Sequence, residues 1–363
     1  MDVLIKNNII RRNKLIVDIG MYETKLLEVY YEAKKITVLS AKSISSNGLV
    51  DESGVDFSEL ASKINSEYSG SGRRDVSVSL PAEICDSKII TIKNKKKSEI
   101  PKIIRKDHMT FGRVNPITHV VDYAFLGIRE EDGDTVYYYL LSAVQKSIAT
   151  ELVASFDKHR LKVKTIVSSV YNQICLSELF FDEYEHLNRL FVDFGTNTTR
   201  VTAFSEGMAV YTRNIEAGFD SFVKCLFSAQ DAVGKPEIIA ALAEIGVNVN
   251  SPEDADSIDL NGLSCAVYSR CVNEIGDYIM NDISRIIDLC SKNDLTVSKI
   301  YYTGNIIRDF DVKIGNALGV VTERVMIHPR DDKEGKGYVL EIDDIDFSVA
   351  YINALGLCIY PML

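Results

Sequence analysis

The stretch LIVDIG at residues 15–20 recurs as LFVDFG at residues 190–195. Each copy is an apolar run that ends in Asp-x-Gly, and each is followed by a threonine and a basic residue, Thr24-Lys25 and Thr199-Arg200. Apolar residues resume after each basic residue, so each copy predicts a β-hairpin with aspartate and glycine at its turn. The repeat therefore indicates two equivalent hairpins that lie a domain length apart in the chain.

Both turns carry residue types that bind phosphate. Glycine exposes backbone N–H groups and lets a phosphate come close, and threonine hydroxyls add donors. Asp18 and Asp193 are placed to hold a hydrated Mg²⁺, which binds through one or two carboxylates and phosphate oxygens. Two turns facing each other across a cleft would hold a triphosphate from both sides. The alternative, that each Asp-x-Gly only makes a turn, is disfavoured by the matching second copy. The candidate nucleotide-binding residues here are Asp18, Gly20, Thr24, Lys25, Asp193, Gly195, Thr196, Asn197 and Thr198.

A third candidate element follows late in the chain. Residues 297–302 predict a strand, and the next three residues, Thr303, Gly304 and Asn305, predict a turn that leads into a helix. A strand, a glycine turn and a helix start can together place backbone against an adenosine. Gly304 and Asn305 therefore join the candidate nucleotide-binding residues.

The composition limits the class of protein. The 363 residues, 46% hydrophobic and 26% charged, predict a folded chain of roughly two to three domains. A formal net charge of −11 disfavours a general nucleic-acid binder. The seven cysteines form no CxxC pair and the five histidines no HExxH pair. We therefore expect reduced thiols in a cytoplasmic protein, and neither a disulfide scaffold nor a zinc site.

Neither end of the sequence predicts export or a membrane span. Residues 1–14 are basic but lack the apolar core of a signal peptide. Residues 347–363 carry no charge, but they are interrupted by polar residues and fall short of the ~20 apolar residues that a membrane helix needs. We expect a buried terminal helix there, in which Ala350, Ala354 and Gly356 let neighbouring backbones approach closely.

Two phosphate hairpins, a late glycine turn and a terminal helix rich in small residues occur in this order in actin-like ATPases. The chain resembles that superfamily and, within it, the PilM family of type IV pilus assembly proteins, which are relatives of the division protein FtsA. The closer likeness rests on Val76–Pro81, Phe111 followed by Asp122–Gly127, His159–Val163 and Ile215–Asp220. It implies an α/β, actin-like (ribonuclease H-like, duplicated) two-domain fold with an inserted α+β subdomain.

The resemblance also implies domain boundaries. The first actin-like domain comprises residues 1–83 and 161–186, the inserted family-specific subdomain 84–160, the helical cap subdomain 220–295, and the second actin-like domain 187–219 and 296–363, with the last helix returning toward the first domain.

The same resemblance implies a function. Proteins of this family are cytoplasmic, act at the inner face of the cell membrane, bind ATP with Mg²⁺, and dock the N-terminal tail of the inner-membrane protein PilN. We therefore expect an ATP-binding scaffold that links PilN to the cytoplasmic pilus motor. The motor ATPase and the platform protein are further expected partners, membrane association is expected to run through partners, and no nucleic acid is expected.

Some residues depart from the family pattern. The first turn has Met21, Tyr22 and Glu23 where small residues are usual, so we expect bulk and negative charge to crowd a phosphate. Residues 166–170 lack the acidic residue that would position a catalytic water, although Gln173 follows. We therefore name no catalytic residue and expect weak or no ATP hydrolysis. The alternatives are a scaffold of the same fold without nucleotide, a filament protein like FtsA, and a phosphotransferase like the sugar kinases.

The inserted subdomain contains two patterns with open interpretations. The basic run of Lys93 and Lys95–Lys97 predicts a solvated loop, and the alternative is a contact with acidic lipid headgroups or an acidic partner. Tyr137–Tyr139 are typical of a strand, which disfavours a stacking platform. Residues 145–159 predict an amphipathic helix.

Overall fold

The chain divides into two compact units, unit 1 (Met1–Phe180 and Met326–Leu363) and unit 2 (Phe181–Val325). A computed structural model describes residues 12–32, 35–51, 54–68, 72–95, 99, 102–104, 114–115, 117–180, 188–229, 233–244, 262, 264–305, 307–325, 339–342 and 351–359. The predictions for Lys96, Lys97, Phe111 and Ala350 lie outside these described residues.

Unit 1 is built on a six-stranded sheet with the order β10-β6-β1-β2-β3-β16. Leu15, Ile16 and Val17 of β1 are fully buried, because the central strand of such a sheet is covered on both faces. The strands are β1 Arg12–Asp18, β2 Glu23–Glu32, β3 Lys35–Ser45, β6 Arg74–Leu80, β10 Leu161–Ser168 and β16 Val339–Ile342.

Short elements complete the first part of unit 1. A two-stranded ribbon, β4 Val50–Asp51 and β5 Gly54–Val55, precedes helix α1, Phe57–Glu67. Asp56 caps α1, because its side chain accepts a hydrogen bond from the Glu59 N–H at 2.9 Å.

The inserted subdomain contains a three-stranded antiparallel sheet with the order β7-β9-β8. Its strands are β7 Cys85–Lys93, β8 His119–Glu131 and β9 Asp134–Gln145, so the tyrosine run 137–139 lies in a strand as predicted. Asp132 and Gly133 both have positive φ, which is the conformation that a two-residue hairpin requires. The predicted amphipathic helix follows as α2, Lys146–Lys158, and buries Leu152 and Phe156.

Two more helices of unit 1 pack against each other. They are α3, Ser169–Phe180, and the terminal helix α8, Ile352–Ile359, and all described residues of α8 after Asn353 are buried. A Cβ on Gly356 would lie 2.0 Å from the Asn172 carbonyl oxygen, so α8 approaches α3 at a distance that only glycine allows. The predicted close approach at Gly356 is confirmed.

Unit 2 is built on a five-stranded sheet with the order β13-β12-β11-β14-β15. The strands are β11 Asn188–Phe194, β12 Thr199–Ser205, β13 Met208–Ile215, β14 Val297–Gly304 and β15 Val321–Arg324. Three described helices lie between β13 and β14: α4 Phe219–Ala229, α5 Lys235–Glu244 and α6 Cys265–Lys292. A fourth, α7 Phe310–Leu318, lies between β14 and β15. One core of aliphatic and aromatic side chains joins the sheet to these helices.

The two sheets share one pattern. In unit 1, β1 pairs antiparallel with β2 and parallel with β6; in unit 2, β11 pairs antiparallel with β12 and parallel with β14. The outer strands also correspond, β3 to β13 and β10 to β15, with matching directions. The repeated motif in the sequence therefore marks a duplication of the whole sheet.

Two features differ from the sequence-based expectations. Residues 326–363 group with unit 1, because β16 pairs with β3 and α8 packs on α3, whereas the sequence placed 296–363 in the second domain with only the last helix returning toward the first. Cys225 on α4 and Cys271 on α6 form a disulfide, with Cα atoms 5.8 Å apart. The expectation of reduced thiols was wrong for this pair, because helix packing brings together cysteines that are far apart in sequence.

No helix among the described residues has the length and apolarity of a membrane span.

Candidate functional site

The first turn joins β1 to β2 and spans Asp18 to Lys25, which are directly paired across the hairpin. Gly20 is required by the turn itself, since a Cβ there would lie 2.5 Å from the Glu23 carbonyl oxygen. Thr24 is fully buried, and its Oγ1 has no hydrogen-bond partner in the described part of the chain. The structure thus brings together all four predicted residues of this turn: Asp18, Gly20, Thr24 and Lys25.

Side chains of the first turn do not crowd it as expected. Met21 is 9% exposed and packs in the hydrophobic core of unit 1, so its bulk points away from solvent. Glu23 forms an ion pair with the Lys25 ammonium. Its negative charge is therefore partly neutralised within the turn, and the predicted crowding was wrong for Met21.

Ser46, the residue after β3, stabilises the first turn with two hydrogen bonds. The Ser46 hydroxyl donates to the Gly20 carbonyl at 2.6 Å, and the Ser46 N–H donates to the Tyr22 carbonyl at 2.9 Å. From the other side, the Ile19 N–H donates to the Ser79 carbonyl on β6 at 3.1 Å. The turn is therefore fixed by one side chain and two backbone bonds.

The second turn joins β11 to β12 and spans Asp193 to Arg200, which are paired in the same register as Asp18 and Lys25. The Gly195 N–H donates to the Thr198 carbonyl at 3.0 Å, and a Cβ on Gly195 would lie 2.7 Å from that oxygen. Thr196, Asn197 and Thr198 are half-buried at the tip.

The acidic residue of the second turn, Asp193, contacts Thr303 and Arg200. Thr303 Oγ1 on β14 donates to Asp193 Oδ1 at 3.2 Å, and Arg200 Nη1 lies 4.0 Å from Asp193 Oδ2. Arg200 is itself oriented by Asn214, whose Oδ1 accepts from Arg200 Nε at 3.1 Å. The carboxylate is thus held in place at the end of β11 by neighbouring strands.

The start of α4 braces the second turn through backbone alone. The N–H groups of Phe219 and Asp220 donate to the carbonyls of Gly195 and Thr196 at 3.1 and 2.8 Å. A Cβ on Gly218 would lie 2.5 Å from the Thr196 carbonyl oxygen, so only glycine fits there. The beginning of a helix therefore closes over the second turn, where the first turn has the side chain of Ser46.

The third predicted element lies directly beside the second turn. Asp193 pairs with Thr303 and Phe194 with Gly304 across the two parallel strands, and the Asn305 N–H donates to the Phe194 carbonyl at 2.7 Å. Gly304 has φ +88°, and a Cβ there would lie 2.3 Å from the Phe194 carbonyl oxygen. The structure thus groups Gly304 and Asn305 with the second turn.

The strand that leads to this element is anchored to α7. The Tyr302 hydroxyl donates to Asp311 Oδ2 at 2.7 Å. Burial, and then the Asp311 carboxylate, raise the pKa of the Tyr302 phenol above its ordinary value. The phenol therefore stays protonated and keeps this bond at neutral pH.

The donor set suits a phosphate chain with a hydrated Mg²⁺. Each turn ends a strand on an aspartate, and hydroxyls lie beside both aspartates. Ser79 is paired with Asp18 across β1 and β6, is fully buried, and has an Oγ without a partner among the described residues. Thr24 Oγ1 also has no partner there, so two hydroxyls of the first turn are buried and unsatisfied, whereas Thr303 beside Asp193 is satisfied. No group of three or more metal-binding side chains is present in the described ranges.

Sequence reasoning missed two residues of this region, Ser79 and Ser46. Ser79 occupies in unit 1 the position that Thr303 occupies in unit 2, so aligning the two repeats beyond the hairpins would have found it. Ser46 comes one residue after the end of β3, and no sequence motif marks it as part of the first turn. Gln173, the predicted polar residue after β10, is buried on α3.

A polar cavity of about 120 Å³ lies where the inserted subdomain meets the rest of unit 1. Glu83, Asp86 and His119 line it, from β7, β8 and the segment before β7. The remaining lining residues are Gly54, Ile84, Ala143, Gln145 and Ile148. The cavity has an acidic character and lies entirely within unit 1.

The chain is similar to solved structures over its whole length. It matches PilM in the PilM-PilN type IV pilus biogenesis complex with 15% identity and a TM-score of 0.72, over 98% of this chain and 100% of that one. It also matches the ethanolamine utilization protein EutJ from Carboxydothermus hydrogenoformans, with 11% identity and a TM-score of 0.50 over 98% and 92% of the two chains. MreB5 of Spiroplasma citri bound to AMPPNP matches with 10% identity and a TM-score of 0.50 over 86% and 91%.

No protein-family profile matches the sequence, and no curated protein matches it at a significant level. Identities this low show a shared fold. The predicted fold class is confirmed: the chain has the α/β actin-like ATPase fold, duplicated, and its likeness to PilM covers its full length.

Proposed function

We propose that the chain is a cytoplasmic, ATP-binding scaffold of a type IV pilus assembly machine. In this proposal it docks the N-terminal tail of an inner-membrane protein similar to PilN and links that protein to the cytoplasmic motor at the inner face of the membrane. The observation that carries the proposal is the full-length likeness to PilM, which was solved with PilN. The motor ATPase and the platform protein are the further partners of the proposal.

In the proposed nucleotide site, both turns supply residues that contact Mg-ATP. Asp18 and Asp193 would hold the hydrated magnesium, and the backbone around Gly20 and Gly195 would bind phosphate oxygens. Gly304 would place backbone against the adenosine. The remaining proposed contacts are Thr24, Lys25, Thr196, Asn197, Thr198 and Asn305. The opposition of the two turns across a shared cleft stays a prediction.

We propose that hydrolysis is slow or absent. Phosphoryl transfer to water requires a side chain that orients the water in line with the leaving group. The residues at the start of α3, Ser168 and Ser169, carry no carboxylate. Bound nucleotide would then stabilise the scaffold and would not drive a cycle.

For tail docking we propose the junction of the inserted subdomain with the rest of unit 1. The acidic cavity there supports the proposal, because Glu83 and Asp86 favour a basic side chain of an incoming peptide, and Ile84 and Ile148 offer apolar contact. Charge complementarity of this kind selects a partner as well as strengthening the contact.

Binding of a synthetic peptide tests the proposal. The peptide carries the N-terminal cytoplasmic sequence of the PilN-like protein from the same genome, and its affinity for the full chain is measured by biolayer interferometry. We expect saturable binding, and we expect Glu83→Lys with Asp86→Lys to weaken it at least tenfold, since two favourable charges become repulsive.

The matched control is Glu274→Lys with Asp288→Lys, two exposed acidic residues on α6 that change the net charge equally. This control should bind like the original chain. Absence of binding by the unmodified chain would refute the pilus role, and equal loss in both double variants would refute the junction as the docking site.

A further inference from the structure

The inserted sheet ends on a strand with one neighbour. In the order β7-β9-β8, β8 pairs only with β9, and no other described residue pairs with its outer edge. The unpaired N–H and C=O groups of such an edge form a template for another strand.

Four large apolar side chains are exposed on β8. The exposed fractions are 46% for Val120, 38% for Val121, 45% for Phe125 and 51% for Ile128. Such a concentration on one 13-residue strand marks an interaction surface more often than a scattered exposed residue does.

Two of the other edge strands in unit 1 carry exposed lysines. β10 ends the large sheet and exposes Lys162 and Lys164, and β7 ends the inserted sheet on its opposite side and exposes Lys88 and Lys93. Lysines on edge strands are a common protection against unwanted pairing. β8 and β16, the remaining edge strands of these two sheets, contain no lysine. Of these two, β8 also exposes large apolar side chains, so its edge is the better candidate for pairing with a partner strand.

A bulge sets which residues of β8 share a face. Leu126 is the extra residue, because the register shifts between Phe125 and Gly127. As a result Asp122 lies opposite Ser142 and Arg129 opposite Val136, two positions of β9 that point to the same face. Without the bulge, the aspartate and the arginine would point to opposite faces.

The charges of β8 are complementary to those of β8 itself. When two copies of the strand run antiparallel, one register places Asp122 of each copy opposite Arg129 of the other. A twofold axis then makes two such pairs, and the same register places Tyr123 opposite Ile128. Cross-strand pairs of opposite charge and of aromatic with β-branched residues stabilise antiparallel sheets.

We propose that β8 pairs antiparallel with β8 of a second copy of this chain, in the register that places Asp122 opposite Arg129, and so joins the two inserted sheets into one six-stranded sheet. The pairing uses neither the nucleotide turns nor the tail cavity, and it stands independently of the proposed function.

Charge reversal with rescue tests the proposal on the full chain. Sedimentation equilibrium measures the dimer dissociation constant of the unmodified chain, of Asp122→Arg, of Arg129→Asp and of the double variant. Each single reversal makes two like-charge pairs, so we expect the dissociation constant to rise about tenfold. The double variant restores two opposite-charge pairs and should return the constant to within about threefold of the original.

A matched control is Glu151→Arg, which makes the same change of net charge at an exposed position on α2 and should leave the dimer unchanged. A chain that stays monomeric at all concentrations would overturn the proposal, as would a double variant that remains as weak as the single ones. If the chain is monomeric and Asp122→Arg instead weakens binding of the PilN-like peptide, the edge belongs to that peptide and the second copy is excluded.

Discussion

The first and second turns have the same hairpin register and are braced by different means. The first turn is held by the hydroxyl of Ser46, and its aspartate lies beside Ser79, whose hydroxyl has no partner in the described part of the chain. The second turn is enclosed by the start of α4 and by Gly304, and its aspartate accepts a hydrogen bond from Thr303. The duplication therefore preserved the backbone of the phosphate hairpin, while the contacts around it diverged.

The difference indicates separate roles for the two turns. The second turn is rigid before any ligand binds, because backbone contacts and satisfied side chains fix it. The first turn has two buried hydroxyls, Thr24 and Ser79, without a partner in the described part of the chain, so side-chain hydrogen bonds contribute less to fixing it. We infer that the second turn is preorganised and that ligand binding adds more order to the first.

The largest expected effect concerns the enclosure of the second turn by Gly304. Gly304→Ala combines a left-handed backbone with a Cβ at 2.3 Å from a carbonyl oxygen, so we expect a loss of about 3 kcal/mol in the free energy of unfolding. Urea denaturation followed by circular dichroism measures it, since the chain has no tryptophan.

Gly207→Ala separates the two causes. Gly207 also has positive φ, at +78°, but its Cβ would meet nothing within 4 Å. We expect a loss of about 1 kcal/mol from backbone strain alone. Equal losses in the two variants would show that β14 does not enclose the second turn as described.

The next effect concerns the brace of the first turn. Ser46→Ala removes a buried donor to the Gly20 carbonyl, and we expect a loss of about 1–2 kcal/mol in the free energy of unfolding. Ser66→Ala removes an exposed hydroxyl that bonds the Lys63 carbonyl and should change stability by less than about 0.5 kcal/mol. If the two variants lost the same amount, Ser46 would not be a brace.

The smallest expected effect compares the hydroxyls beside the two aspartates. Thr303→Val removes the donor to Asp193 and should cost about 1 kcal/mol, whereas Ser79→Ala removes an unsatisfied buried hydroxyl and should be close to neutral. Thermal unfolding without ligand measures both. A larger loss in Ser79→Ala than in Thr303→Val would contradict the proposed difference between the turns.

The sequence predicts the duplicated frame well because each hairpin is local. The apolar run, Asp-x-Gly and the returning strand lie within a few residues of one another. Their pattern therefore determines both that a β-hairpin forms and how its two strands are paired. The orientation of Met21, the brace by Ser46 and the pair Cys225–Cys271 were not predicted. Each depends on a partner from a distant segment, and no short-range pattern records that partner.

The edge strands show a similar limit of what can be predicted from the sequence. The lysines of β10 and β7 are visible in the sequence, but their meaning requires the strand order that makes them edges. The same holds for Ser79, whose role follows only after β6 is placed next to β1.

The central proposal is that both turns bind nucleotide, and thermal shift with Mg-ATP tests it most directly. A ligand that binds only the folded chain adds about 2.7 kcal/mol of stability at a hundredfold excess over its dissociation constant. We predict a rise in melting temperature for the original chain and for the control Asp288→Asn, and no rise for Asp18→Asn or for Asp193→Asn, each measured against its own unliganded state. A flat response of the original chain would point to a scaffold without nucleotide, and a shift that survives in either turn variant would contradict a shared site.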